Sequence, residues 1–365
     1  MKIWHSSPVR LDGSELQSFL AHVTRLNAEG GYRSPNRLAA QVRSELDRFY
    51  ELADDEVQTF TTRSGFDALT FALRVVGVRE GSGVVVPSFA YHAVGLAVAS
   101  LGATAIWSDV CPTDWNMGVK EIEEAVAASD MPVSAICAVD NFGTPVDLIG
   151  ISAWAREFGI PLVLDACESL GSSRAPCWEL ADAIAMSFSF SKPIHAAGMG
   201  GAVTIRESWA RNLQPLDRAL LGQVALPELN AAYLLACWPR LPSIVNHLRT
   251  VYSMYSGALA EVGWSSQTAP AGDSSRVHAP FLVPDDLGST FRDFVISELG
   301  LRSVEARVQF PRQDLMLGFE AALTLNVSDD LVSRVISLPT GGGLSTSDAA
   351  RVAGELRRIC LNYCQ

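Results

Sequence analysis

The stretch Leu162-Val163-Leu164-Asp165-Ala166-Cys167-Glu168-Ser169-Leu170-Gly171 opens as a short apolar run and ends that run on a carboxylate. A run that is apolar on both faces reads as a strand covered from both sides, as in a parallel sheet between two layers of helices. Working outward from the run 161–164, the same texture recurs at Val84–Val86, Thr104–Trp107, Ser134–Val139, Ala183–Ser187 and Ala202–Ile205. Helical patterns lie between these runs, among them Val119–Ala127 and Leu148–Phe158, the second stopped by Gly159 and Pro161. From about Thr61 to Ile205 the alternation predicts an α/β fold: a large, doubly wound, mostly parallel sheet domain.

Beyond it, Glu228–Cys237 and Ile244–Val262 read as helices, and after Gly263 the texture changes. Residues 269–286 are rich in Ala, Pro, Ser and Asp. A strand-like run near His278–Val283 then mixes with helices at Leu287–Leu299 and Ser347–Arg358, the last opened by Ser345 with Asp348 three residues on. The expected division is a large domain over 1–245, with an N-terminal segment 1–40, and a smaller α+β domain over 246–365. The run Gly341–Gly343 reads as a loop.

Composition sets outer limits. The 365 residues are 48% hydrophobic and 19% charged, which excludes a disordered chain, a collagen-like repeat and a disulfide mini-protein. Forty acidic against 28 basic residues give a net charge of −12, so no general attraction to nucleic acid or anionic lipid is expected, and an anionic ligand must be held by local donors. Seven scattered cysteines (111, 137, 167, 177, 237, 360, 364) form no CxxC pair, which suits a reducing compartment and argues against a disulfide framework or a metal site. The N-terminus MKIWHSSPVRLDGSEL has no signal-like apolar run, so cytoplasm is expected. Gly81 to Ser108 carries no Asp, Glu, Lys or Arg, yet Pro87, Gly95 and Gly102 punctuate it as strand and helix, not a membrane span.

Four places carry chemistry. At Thr62-Arg63-Ser64-Gly65-Phe66-Asp67 a small polar turn runs into an apolar helix, whose first N–H groups can hold a phosphate, or which Ser64 simply caps. Pro87-Ser88-Phe89-Ala90-Tyr91-His92 follows a strand, where an aromatic side chain can stack on a flat ring or belong to the core. Asp165, an ionised carboxylate ending a buried strand, needs a cationic partner such as a protonated pyridine nitrogen, or caps the next turn; Glu168 reaches the same cleft or is a solvated helix residue. Lys192 is the only lysine after Lys120 and sits among small and apolar residues ahead of Gly198-Met199-Gly200-Gly201. Such surroundings can lower a lysine pKa and leave the amine free to form a Schiff base with an aldehyde. Phosphate turn, aromatic, aspartate, then a hydroxyl at Ser187 five residues before a lysine are the parts of a pyridoxal phosphate site in one order along the chain.

These segments resemble the DegT/DnrJ/EryC1/StrS aminotransferases, the sugar aminotransferase branch of fold type I pyridoxal phosphate enzymes. The resemblance rests on the Ser64-Gly65 turn with Ala68-Leu69, VVVPSFAYHAV followed by LGATAIWSDV, Phe142-Gly143-Thr144-Pro145, DACESLGS, Ser187 with Lys192 and Gly200-Gly201, and Leu226 to Ala232. It implies Lys192 as the Schiff-base lysine, Asp165 as partner of the pyridine nitrogen, Tyr91 as the ring-stacking aromatic, Glu168 near the phenolic oxygen, and Ser187 with the backbone at Gly65 and Phe66 as phosphate contacts. It also implies a homodimer that moves an amino group, usually from glutamate, to the keto group of a nucleotide-linked sugar or similar small carbonyl compound. A dehydratase or lyase of the same fold is an alternative, though the family's sugar dehydratases replace the lysine by histidine; so is a binding protein without turnover.

Departures from the family pattern stand at Phe66-Asp67, where a hydroxyl is lost and a carboxylate should point away from a phosphate, and at Met199. Gly222-Gln223-Val224-Ala225 replaces a stretch that in relatives reaches the neighbouring subunit, and no histidine-containing substrate segment is evident around Phe310 to Asp314. His92, His195 and Cys167 read as local hydrogen-bonding or packing residues.

Overall fold

The computed structural model describes residues 2–30, 37–52, 56–172, 179–269 and 274–363; Cys177, Cys364 and residues 270–273 of the stretch 269–286 lie outside these. Strands β1 (Val57–Thr62), β2 (Gly83–Pro87), β3 (Thr104–Ser108), β4 (Val133–Val139), β5 (Leu162–Asp165), β6 (Ala183–Ser187) and β7 (Gly201–Arg206) form one sheet in the order β1-β7-β6-β5-β4-β2-β3. The neighbours among β2 to β6 all pair parallel, whereas β7 runs antiparallel to both β6 and β1. The six apolar runs of the sequence are therefore strands within a residue or two of their expected bounds.

Strand periodicity accounts for the two layers that cover the sheet. Leu162 and Leu164 face one hydrophobic core, shared with α5 (Val119–Ala128), α6 (Leu148–Glu157) and α9 (Glu228–Cys237), while Val163 between them faces a second, built with α3 (Gly65–Val75) and α4 (Ala93–Ser100). The charge-free stretch 81–108 is β2, α4 and β3, with β2 buried at every position.

The helix α10 (Leu241–Ala260) leads away from this sheet. Its second half packs in a separate core with β8 (Ala279–Leu282), α11 (Gly288–Leu301), β9 (Val335–Leu338) and α14 (Thr346–Tyr363), which Ile3 joins from the N-terminus. β8 and β9 pair antiparallel as a two-stranded sheet. Ser345 caps α14 as its spacing suggested: its hydroxyl accepts the Asp348 N–H at 3.0 Å.

Three elements carry no apolar run in the sequence. β1 reads Val-Gln-Thr-Phe-Thr-Thr, a half-buried alternation at the sheet edge and not an apolar run. The N-terminal helices α1 (Gly13–Glu29) and α2 (Arg37–Phe49) are mostly polar, and α2 buries only a stripe of Leu38, Ala39, Val42 and Leu46.

Placing β7 antiparallel brings its first residue, Gly201, opposite both Ser187 at the end of β6 and Thr62 at the end of β1. A Cβ on Gly201 would stand 2.4 Å from the backbone oxygen of Ser64, and one on Gly65 would stand 2.7 Å from the Ser187 Cβ. Both glycines thus let the start of α3 press against the carboxyl edge of β6. Gly201→Ala is expected to destabilise the fold by about 1–3 kcal/mol, because it is the backbone that must move. Gly354→Ala, in α14 with nothing within 4 Å, should be neutral or stabilising. Denaturant titration of both variants checks the contrast, and equal midpoints would contradict it.

Candidate active site

Open α/β sheets bind ligands beyond the carboxyl ends of their strands, and here the ends of β1, β4, β5 and β6 supply the chemistry. Asp165 is the last residue of β5 and is 6% exposed. Its Oδ1 accepts the Cys167 N–H at 3.0 Å, and the Cys167 thiol also bonds it. Burial nevertheless holds its carboxyl above the usual range, against those two hydrogen bonds and the charge of Lys192. A carboxylate in that state gains from any cation placed before it. Cys167 therefore orients Asp165 and does more than fill space.

Lys192 lies in the loop between β6 and β7, its backbone turned by an N–H bond to the Ser189 carbonyl, and its side chain is nine-tenths buried. Nζ sits 3.1 Å from Oε1 of Glu168. Burial alone would depress the lysine, as its sequence surroundings suggested. The Glu168 carboxylate outweighs burial, with help from Cys167 and Asp165, and the amine is held above its usual value. The expectation of a lowered pKa is corrected accordingly: the site supplies an anion as well as an apolar wall.

Glu168 is buried and belongs to a turn, which removes the reading of a solvated helix residue. Three donors fix it: Lys192 and, at 2.9 Å, His278 Nε2 on Oε1, and the Phe142 N–H at 2.9 Å on Oε2. Phe142 aims that N–H from a left-handed backbone, φ 56°, just past β4. Although burial works against ionisation, the charge of Lys192 and the hydrogen bonds from His278 and Lys192 hold the Glu168 carboxyl far below the usual range.

At the other side of the cleft the Ser64 hydroxyl accepts the Asp67 N–H at 3.0 Å. The N–H groups of Gly65 and Phe66 have no acceptor among the described residues. They open beside Ser187, and a Cβ on Gly65 would also lie 3.1 Å from the Cys167 sulfur. Helix start, Ser187 and the Asp165 turn are thus one cluster, suited to an anion. Arg63 clamps the Asp67 carboxylate through two bonds of 3.0 Å, so the unfavourable charge is neutralised locally.

Tyr91 is half exposed, its ring 4.2 Å from that of His92 and 5.8 Å from Phe310. Phe89 is fully buried with Phe142 and Phe310, and so is core. His195 is a satisfied structural residue: Nδ1 accepts the Ala197 N–H, leaving Nε2 to donate to the Val9 carbonyl at 2.8 Å. Sequence reasoning missed His278 and Phe310, which lie over a hundred residues from the motifs they meet.

The chain matches the DegT/DnrJ/EryC1/StrS aminotransferase family over residues 45–357. It belongs to that family. It is 30% identical over 311 residues to a UDP-N-acetyl-3-dehydro-alpha-D-glucosamine 3-aminotransferase of Acidithiobacillus ferrooxidans, covering 81% of this chain and 82% of that one. A UDP-2-acetamido-2-deoxy-3-oxo-D-glucuronate aminotransferase of Pseudomonas aeruginosa is 28% identical over 316 residues, 80% of this chain and 84% of that one. Among solved structures, aminotransferase TlmJ of Streptoalloteichus hindustanus superposes with a TM-score of 0.85 over 100% of both chains at 21% identity. A family member from Brucella abortus gives 0.79 at 24% identity, covering 94% of this chain and 95% of that one.

Glu168 raises the proton affinity of Lys192, so Glu168→Gln should lower it: with that carboxylate gone, burial is opposed only by Cys167 and Asp165, and the amine titrates below its midpoint in the native protein. The pH dependence of Lys192 labelling by an amine-specific reagent, read by peptide mass, measures this. An unchanged midpoint would contradict it.

Proposed function

We propose that the protein is a pyridoxal-phosphate-dependent aminotransferase that delivers an amino group to the keto group of a nucleotide-linked sugar. The observation that carries this reading is the burial of Lys192, Glu168 and Asp165 together beyond the carboxyl ends of the strands, beside helix N–H groups that lack acceptors among the described residues. The residues fit the cofactor part by part. Gly65 and Phe66 N–H groups with the Ser187 hydroxyl would hold its phosphate, Asp165 its ring nitrogen, Glu168 its phenolic oxygen, Tyr91 its ring face and Lys192 its aldehyde carbon.

When bound, the cofactor supplies an aldehyde and a ring able to take up carbanion charge. The chain supplies the rest. Asp165, unwilling to stay charged without a partner, keeps a proton on a nitrogen set before it. Lys192, as the free amine, would be the group that bonds the aldehyde carbon, and Glu168, 3.1 Å away, orients its Nζ. When not so bonded, the Lys192 Nζ would serve as the general base and acid that holds and returns the proton to be moved. The aromatic cluster of Phe89, Phe142 and Phe310 excludes water on the flank of Glu168.

The amino donor proposed is glutamate, on family resemblance. The acceptor class follows the relatives, which by name act on UDP-linked 3-oxo sugars. No single helix among the described residues is long and apolar enough to cross a membrane, and the five described cysteines are free thiols, which supports a cytoplasmic site of action. A homodimer is proposed on resemblance, and the large domain at 1–245 and small domain at 246–365 are retained as its units.

Addition of pyridoxal phosphate should produce a visible absorption band, and borohydride should fix the cofactor covalently to the peptide containing Lys192. Glutamate should then bleach the unreduced band in stoichiometric amount, with release of 2-oxoglutarate. A Lys192→Ala protein that still forms the reducible adduct would contradict the assignment, and a band that ignores every amino donor would favour a binding protein.

A further inference from the structure

Glu168 has a partner that no motif announced. His278, immediately before β8, places Nε2 2.9 Å from Oε1, the same oxygen that Lys192 approaches at 3.1 Å. An ionised carboxylate only accepts, so Nε2 must carry the proton of the imidazole. The other nitrogen is then the anomaly. Nδ1 of His278 is buried and has no hydrogen-bond partner among the described residues, and the ring is walled by Phe142 at 6.1 Å and by Phe310 and His5 at 6.4 Å each. Leaving a buried acceptor unsatisfied is costly, and a leucine or phenylalanine would fill an aromatic box without that cost. What a hydrocarbon could not do is donate to Glu168.

We propose that His278 is a positioning residue of the amino-transfer site: it shares the Glu168 oxygen with Lys192 and thereby limits how tightly that carboxylate holds a proton on the lysine nitrogen. Two donors on one oxygen divide its negative charge. With His278 present the lysine nitrogen gives up its proton more readily than the carboxylate alone would allow. The segment that carries His278 is itself pinned to the site, since the Ser275 hydroxyl donates to the Glu168 carbonyl at 2.7 Å and the Ser275 N–H to the Gly143 carbonyl at 3.0 Å. A side chain from beyond α10 thus reaches the proton on which the chemistry turns.

The other titratable groups facing this trio do not duplicate its role. Cys167, pushed well up by burial, remains a thiol, and Asp165 is occupied by Cys167. His5, behind His278, is pushed down to about 3, chiefly by burial, with His278 and Arg307 adding to the effect and Glu305 opposing; it stays neutral, its Nε2 2.9 Å from the Ser337 hydroxyl.

The inference rests on Lys192 being the residue that bonds the cofactor, and the experiment separates the two. In protein loaded with pyridoxal phosphate, the visible band shifts with pH as the lysine nitrogen gains or loses its proton. His278→Leu should still be fixed at Lys192 by borohydride, but its midpoint should rise by about one pH unit, a tenfold gain in proton affinity. His278→Gln, which keeps an N–H near the position of Nε2, should return the midpoint to that of the native protein. An unmoved midpoint in a loaded His278→Leu protein overturns the role of His278 alone, whereas no adduct at Lys192 in the native protein overturns the functional reading and this inference with it. Should His278→Leu fail to fold, nitrogen-15 NMR of the native apoprotein decides: a proton on Nε2 with bare Nδ1 supports the proposal, and the reverse tautomer ends it.

Discussion

A lysine ammonium cannot be nine-tenths buried without an anion to meet it, and in this protein that anion is Glu168. The arrangement around the pair follows from this constraint. Glu168 must itself be held ionised, so β4 ends in a left-handed turn that presents the Phe142 N–H, and the segment before β8 brings in His278. A buried ion pair is a poor source of stability compared with apolar residues of the same volume. Its presence beside a second buried carboxylate, Asp165, therefore asks for a chemical explanation, and amino transfer provides one.

The sheet was legible because its strands are apolar runs punctuated by glycine and proline, a local signal that survives without knowledge of partners. Asp165 and Lys192 were legible for a related reason: Asp165 puts a carboxylate at the end of an apolar run, and Lys192 is the only lysine after Lys120, set among small and apolar residues. β1 was not, since Val57 to Thr62 alternates with threonine and becomes a strand only when β7 turns back antiparallel to pair with it. The same pairing explains Gly201, whose reason is the Ser64 oxygen 2.4 Å from where its Cβ would stand.

The site was half legible. Glu168 could be placed near the cleft but not its state, because two of the three groups that set its charge, Phe142 and His278, lie 26 and 110 residues away. The direction of the Lys192 shift went wrong for that reason: burial is visible in composition, whereas a carboxylate arriving from another loop is not. Phe310 escaped notice similarly, although its ring stacks on Phe142 at 4.8 Å and lines the flank of the cleft. The departure at Asp67 proved to be compensated within one turn of helix by Arg63, a pairing at i and i+4 that spacing alone supports.

The central claim is that Asp165 and Lys192 face one flat heterocycle from two directions. It is tested most directly by a crystal structure of the protein treated with pyridoxal phosphate and then borohydride. The account predicts continuous density from the Lys192 Nζ to the ring, with an Asp165 oxygen at hydrogen-bond distance, about 2.6–3.2 Å, from the pyridine nitrogen. A ring bonded elsewhere, or one whose nitrogen points away from Asp165 while that carboxylate stays bound to Cys167 alone, would contradict it.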